Sequence, residues 1–282
     1  MTDTLGPYGQ LLDTRLRVLT WNVWWRFGPW EARRPAIAAT LARLDADIIC
    51  LQEVWDDGDV NFAAELAEGL GFHHAYGSRL DLDGVRFGNA VLARWPISDH
   101  EVLPLPAPSN ADELRTCIRA DIDGPRGAIQ AYTTHLNWRF DQSHVRQEQV
   151  RAIAAFIARS RAGGGHAFPP LLCGDFNADP DSDEMRMLTG KAATPEPKLV
   201  FHDAWDVAGQ ASPSSATGAT WTNDNPYAQL DLEPDRRIDY VLVGWPKTGG
   251  AGHVTRCTVE CLDAVDGVVP SDHLGVIADI RY

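Results

Sequence analysis

Two hydrophobic patterns alternate along this 282-residue chain. Short, continuous apolar runs rich in β-branched residues recur from residue 16 to the last residue, and such runs bounded by turn residues predict buried strands. The first five are LRVLTWN (16–22), DIICLQ (47–52), GNAVLARW (88–95), RTCIRADID (115–123) and AIQAYTTH (128–135). GPRG joins the last two as a hairpin turn. PPLLCGDF, IDYVLVGW, HVTRCTVEC and LGVIADIRY continue the series. Other stretches carry apolar residues at helical spacing. Ile37, Leu41 and Leu44 predict a helix ending near Asp45, and a shorter helix covers 60–70, stopped by Gly69 and Gly71. A third runs from about Ser143 to Arg161, with Val145, Gln149, Ile153, Phe156 and Ile157 on one face and Gly163 to Gly165 ending it.

Residues 1–15 read as a flexible lead-in with Gly6, Pro7 and Gly9, and no linker divides residues 16–282. That order of strands and helices predicts one α/β domain, large enough for a sizeable core. The stretch 206–235, rich in Ser, Pro, Gly, Thr, Asn and Asp, predicts a long loop, and long loops in compact domains are more often functional than decorative.

Charge narrows the classes of function. Lys and Arg total 25 against 39 Asp and Glu, a net charge of −14, which disfavours a protein that grips nucleic acid through a broad basic face. A nuclease with a local cationic or metal-filled cleft stays open. Lys occurs only at Lys191, Lys198 and Lys247, so nearly all cationic chemistry falls to Arg. Cys50 and Cys173 lie inside apolar runs and predict buried, reduced thiols; with no secretory signal and no run long enough to span a bilayer, a cytoplasmic location is expected. Nothing in the sequence specifies an oligomeric state.

Polar residues stand where the predicted strands end, which is where an α/β scaffold presents its chemistry. They are Asn22, Glu53, Asn89, His135, Asp175, Asn177, Asp239, Asp272 and His273. Each alone has an ordinary explanation in turn formation or local hydrogen bonding. Together they form a set of oxygen ligands with two histidines and no convergent thiolates, suited to a hard cation such as Mg²⁺ or Mn²⁺ that leaves room for a phosphate. Hydrolysis at phosphorus also needs a base and neutral donors, roles that two His, a further Asp and two Asn can fill.

LTWNVWW, DIICLQEV, GNAVLARWPI, TTHLNW, LLCGDFNADP, RRIDYVLV and PSDHLGV, in that order, resemble the motifs of the endonuclease/exonuclease/phosphatase superfamily over roughly residues 16–282. The resemblance implies a four-layer sandwich, two packed mixed β-sheets flanked by helices, and divalent-metal-dependent hydrolysis of a phosphate ester. It implies that Glu53 is the principal metal ligand, with Asn22 and Asp272 near the metal or a second ion. It makes His273 the general base, oriented by Asp239, and has Asp175 position or help activate the water. Asn177 donates to a phosphate oxygen and His135 stabilises the transition state, with Asn89 in the same phosphate pocket.

The substrate is less sharply written. Trp24, Trp25, Phe27 and Trp30 follow the first motif, and such a cluster packs the first helix, stacks on a base or lines a lipid-facing groove. TTHLNWRFDQSHVRQEQ and the Thr-Trp pair of ATWTNDNPY resemble the sphingomyelinase-like branch, making Trp221 and Tyr227 candidates for substrate contact. Arg115, Arg236 and Arg237 are candidates for a second phosphate; alternation lets one of the adjacent pair face inward, and Arg237 is taken as the substrate-binding one. The leading expectation is a phosphodiesterase acting on a small or lipid-derived substrate. The alternatives are a metal-dependent nuclease and a non-catalytic scaffold that keeps the fold.

Overall fold

A computed structural model describes residues 6–108, 113–161 and 168–282. In chain order the elements begin with β1 (Arg15–Asn22), α1 (Trp30–Leu44), β2 (Ile48–Asp56), α2 (Phe62–Leu70), β3 (His73–Leu82) and β4 (Val85–Ala93). Next come β5 (Ile97–Pro104), β6 (Thr116–Gly124), β7 (Gly127–His135), α3 (Ser143–Ser160), β8 (Leu171–Asp175) and α4 (Asp183–Leu188). The series closes with β9 (Phe201–Asp203), α5 (Ala204–Ala208), β10 (Asp239–Gly244), β11 (Val254–Glu260) and β12 (Gly275–Arg281).

The strands form two six-stranded mixed sheets, ordered β11-β12-β1-β2-β4-β3 and β5-β6-β7-β8-β10-β9. Their inner faces pack Val18, Cys50, Val91, Ala131, Cys173 and Val241 into one apolar layer. On the outer face of the first sheet, α1 and α2 cover Trp21, Leu51 and Trp55. On the outer face of the second, α3 and α4 cover Tyr132, Leu172 and Tyr240. The expected four-layer sandwich is therefore the observed one. The continuous apolar runs follow from it, because central strands are covered on both faces and cannot alternate.

Topology brings the chemistry to one end. Two strand pairs run parallel, β1 with β2 and β7 with β8, so each delivers two C-terminal ends side by side. Asn22 and Glu53 come from the first pair, and His135 stands opposite Asp175 in the second. Antiparallel β10 enters beside β8 with Asp239 opposite Asp175. Gly174 makes that approach feasible: at φ +148°, a Cβ there would lie 2.1 Å from the Thr134 carbonyl oxygen.

Some local expectations differ. The second helix is capped by Gly71 in the left-handed region, and Gly69 lies within it. The lead-in is tied to the body: the Leu12 N–H donates to the Gly249 carbonyl at 2.8 Å, and the Gly249 N–H to that of Tyr8 at 2.7 Å. The first five residues of the lead-in and the Gly163–Gly165 helix end lie outside the described residues. β3 and β5 were not expected; as strands at the edge of each sheet they keep many exposed positions and lack a dense apolar run. All five cysteines are buried and free. Among the described residues no helix is long and apolar enough to cross a membrane.

Candidate active site

A cleft of about 240 Å³ opens where those strand ends meet, with Glu53, His135, Asp175, Asn177, Asp272 and His273 among its lining. Backbone strain gathers around it. Glu53 sits at φ +56°, where β2 breaks register against β4, and Trp24 and Asn177 also lie in the left-handed region at +57° and +50°. Non-glycine residues held there cost of order 1–3 kcal/mol each and persist only where the surroundings over-determine them.

At Asn22 the surroundings are visible. Its amide nitrogen donates to Glu53 Oε1 at 3.0 Å and Asp175 Oδ2 at 3.1 Å, while its oxygen accepts the Trp24 N–H at 3.0 Å. The residue therefore clips the two sheets together through their carboxylates. Its oxygen, expected to lie close to a metal, accepts one N–H from the 23–25 turn and keeps its second lone pair. Beneath the turn, fully buried Arg33 donates to the carbonyls of Val23, Trp24, Trp25, Phe27 and Pro270 at 2.7–3.0 Å.

The two histidines are held in opposite states. Arg115 Nη1 lies 2.9 Å from His135 Nδ1, and a guanidinium can only donate, so His135 accepts there and carries its proton on Nε2. Burial first, then the Arg115 and His273 cations, hold His135 well below the ordinary histidine range. Its Nε2 faces Asp175 Oδ2 at 3.4 Å. His273 Nδ1 meets Asp239 Oδ2 at 3.0 Å, and its Nε2 stands 3.7 Å from Asp175 Oδ2. Burial opposes charge on His273, but Asp239, Asp175 and Asp272 together outweigh it and push the imidazole well above its ordinary value.

Burial, with the Asp239 charge added, pushes Asp175 up to about 7 against the pull of His273, Asn22 and the Asn177 N–H. Asp272 also rises to about 7, through burial and the Glu53 charge, with His273 pulling the other way. Burial likewise raises Glu53. Asn177 donates its N–H to Asp175 Oδ1 at 2.9 Å and its amide to the Leu136 carbonyl at 3.1 Å.

Buried anionic oxygens without a donor are expensive, and Glu53 Oε2 is one. With Asp272 nearby, it makes a hard, oxygen-rich place for a divalent cation, so the residues fit a metal. A second grouping also fits by proximity alone: ligand atoms of Asp175, Asp239 and His273 lie within 4.8 Å of one another. In that grouping the Nδ1–Oδ2 hydrogen bond already engages two of the three side chains.

The 219–227 segment supports the site from behind. Thr220 Oγ1 accepts the N–H groups of Ile238 and Asp239 at 3.1 Å, and the Asn225 amide donates to the Ser271 and Asp272 carbonyls at 2.8 and 3.0 Å. Trp221 stands edge-on to the His273 ring at 4.9 Å and lines the cleft. Tyr227 packs against Trp24, the rings tilted by 36° with centroids 4.7 Å apart.

Two other expected contacts lie elsewhere. Arg237 turns away from the cleft, bound to Asp203 at 2.5 Å and Asp206 at 3.1 Å; Arg236 is the member of the pair that lines it. Asn89 is buried between the sheets, its amide donating to the Thr116 carbonyl at 3.0 Å and hydroxyl at 3.2 Å, and it does not line the cleft. Sequence reasoning missed Arg33, Thr220 and Asn225, whose partners are backbone groups. For Arg236 the strand alternation was a usable signal that left the choice of parity open.

The fold and this constellation define a phosphate-ester hydrolase architecture, and residues 19–273 match the Endonuclease/Exonuclease/phosphatase family. The chain belongs to that family, whose members are typically metal-dependent phosphodiesterases. It is 29% identical over 291 residues to zebrafish (Danio rerio) protein angel homolog 2, covering 90% of this chain and 51% of that protein. It is also 29% identical over 178 residues to Escherichia coli YbhP, covering 57% of this chain and 66% of that one. The chain spans about half or less of the angel proteins it matches. Among solved structures, an endonuclease/exonuclease/phosphatase from Beutenbergia cavernae is 26% identical at a TM-score of 0.70, over 95% of this chain and 71% of that one. Danio rerio TDP2 in complex with single-strand DNA product shares the fold at 19% identity and a TM-score of 0.74, over 96% and 100% of the two chains.

Proposed function

We propose that the protein is a divalent-metal-dependent phosphodiesterase, with water attacking phosphorus in the cleft and Mg²⁺ or Mn²⁺ held by Glu53 and Asp272. The observation that carries this is Glu53 Oε2, a buried carboxylate oxygen with no hydrogen-bond donor, at the lining of the cleft. When bound, the cation would withdraw charge from the phosphate and the departing oxygen.

The chain's own groups supply the rest. Asp175 and the His273–Asp239 pair form a coupled acid–base cluster beside the attack position, and the water's proton passes into it. His135, neutral with its proton on Nε2, donates toward the non-bridging oxygens where charge develops. Asn177 stands at the same wall and donates beside it.

For the substrate we favour a small or lipid-derived diester over a nucleic acid. Arg115 and Arg236 line the cleft, but Glu113 pairs with the first and Asp179 with the second. Asp231 and Glu233 add negative charge to the same lining. A polyanion would therefore meet little free positive charge. Hydrolysis of bis-(p-nitrophenyl) phosphate, p-nitrophenyl phosphate, supercoiled plasmid and sphingomyelin, each with Mg²⁺, Mn²⁺ or EDTA, tests the reading. We expect EDTA-sensitive turnover of the small diester or the lipid to exceed plasmid cleavage. Faster plasmid cleavage would favour the nuclease, and no turnover at all the scaffold.

A further inference from the structure

Two loops carry aromatic side chains to the mouth of the cleft, and a buried arginine fixes each from beneath. Arg33 holds the loop bearing Phe27 through its carbonyl bonds. Arg146, 4% exposed, donates to the Asn137 and Arg139 carbonyls at 3.1 and 2.8 Å while pairing with fully buried Glu184 at 2.6 Å. On these anchored backbones Phe27, Trp138 and Phe140 remain 42%, 47% and 57% exposed. Leu230 and Leu232 are 75% and 88% exposed and alternate along the chain with the cleft-lining Asp231 and Glu233. Contacts join the pieces: Trp24 packs against Tyr227, and the Arg236 guanidinium lies over Phe140 while standing 3.7 Å from Glu233. Scattered exposed apolar residues need no explanation, but a rim of them around a cleft does.

We infer that this rim seats the protein on a zwitterionic lipid surface, the cleft opening toward the headgroup layer. Trp and Phe set beside Leu form the mixture that partitions at a water–hydrocarbon boundary. Charge selects the kind of surface. Asp231 and Glu233 lie inside the rim and the chain carries −14, so anionic lipid and nucleic acid meet repulsion where a choline-type ammonium meets attraction. A second copy of the chain would bring these acids face to face across a two-fold axis and close the cleft. Docking is separate from turnover and stands whether or not the diesterase reading holds.

Sedimentation of the full chain with phosphatidylcholine vesicles, and with vesicles one-third phosphatidylserine, tests this. The variant is Leu230→Ser/Leu232→Ser; both side chains are solvent-exposed, and an unchanged melting temperature verifies its fold. Wild type is expected to partition onto phosphatidylcholine, more weakly onto the anionic mixture, and the variant to lose about tenfold or more. Equal partitioning of the two proteins, no partitioning of wild type, or preference for the anionic vesicles would overturn the inference. So would displacement by a single-stranded oligonucleotide, or a wild-type dimer that the variant abolishes. Vesicle binding together with inactivity on every diester would leave docking intact and count against the proposed function alone.

Discussion

Replacing Arg33 with Met tests whether one buried cation organises the entrance of the cleft. The guanidinium is fully buried and its five carbonyl acceptors come from two separate segments, residues 23–27 and Pro270. Burial lowers its pKa to about 10, opposed by Asp272, Tyr227 and Glu53, so it stays charged through the neutral range. Charge-assisted bonds contribute roughly 1.5–3 kcal/mol apiece, but burying the charge offsets much of the sum. Removing the cation returns that desolvation cost and leaves buried carbonyls without donors. A net loss of about 3–5 kcal/mol follows, as when other buried charged networks are broken. At about 2–4 °C per kcal/mol for a domain of this order of size, the melting temperature falls by roughly 6–20 °C. Arg34→Met is the control: that side chain is partly exposed and pairs with Glu65 at the surface, so its loss costs about 1 kcal/mol or less. Calorimetry of both variants beside steady-state diester hydrolysis is the assay, with kcat expected to fall in Arg33→Met because Trp24 and Phe27 lose their anchor. Equal melting temperatures for the two variants, with unchanged turnover, would show that Arg33 does not organise the entrance.

Gly174→Ala forces a Cβ to within 2.1 Å of the Thr134 carbonyl oxygen, so β7 and β8 must separate; we expect a large drop in melting temperature or insoluble protein, read by expression and thermal unfolding. Asp175 and Asp272 both rise to about 7 in the folded metal-free protein, so folding disfavours their ionised forms. Metal-free stability from these groups therefore declines as pH climbs from the ordinary carboxylate range through about 7, and the raised His273 adds a loss that begins near the ordinary histidine value and is complete at its own raised pKa. Stabilisation by Mg²⁺ should grow over the same window, since a cation needs the ionised carboxylates; a Mg²⁺-induced melting shift larger at pH 5 than at pH 8 would contradict this. Arg115→Met leaves His135 Nδ1 without its donor and frees the ring to change tautomer, so kcat should fall about 10²-fold with little change in KM. An unchanged kcat would remove His135 Nε2–H from its assigned role.

Much of the fold was legible because its central strands are covered on both faces. LRVLTWN, DIICLQ and LLCGDF carry β1, most of β2 and β8, and their polar terminal residues fall at the strand ends where the cleft forms. β3 and β5 were not legible, because an edge strand with one exposed face resembles a loop in composition. Among the site residues, Glu53, His135, Asp175, Asn177, Trp221, Asp272 and His273 line the cleft, with Asp239 just behind His273. The two misplaced residues depend on contacts that the local sequence does not display. Asn89 donates across the sandwich to Thr116, a contact that exists only once the sheets pack. Arg237 depended on strand parity and on Asp203 and Asp206, two carboxylates more than thirty residues earlier in the chain. Arg33, Thr220 and Asn225 act on backbone groups, so their residue type carries no functional signature.

On the proposed reading Glu53 holds a divalent cation required for diester hydrolysis. The most direct measurement compares wild type with Glu53→Gln on bis-(p-nitrophenyl) phosphate, with Mg²⁺ and with EDTA, alongside titration of each protein with Mn²⁺. We expect EDTA-sensitive turnover in wild type, a loss of about 10³-fold or more in Glu53→Gln at an unchanged fold, and weakened Mn²⁺ binding by that variant. Metal-independent turnover would contradict the reading. So would a Glu53→Gln variant that binds Mn²⁺ and turns over like wild type, which would move the metal to Asp175, Asp239 and His273.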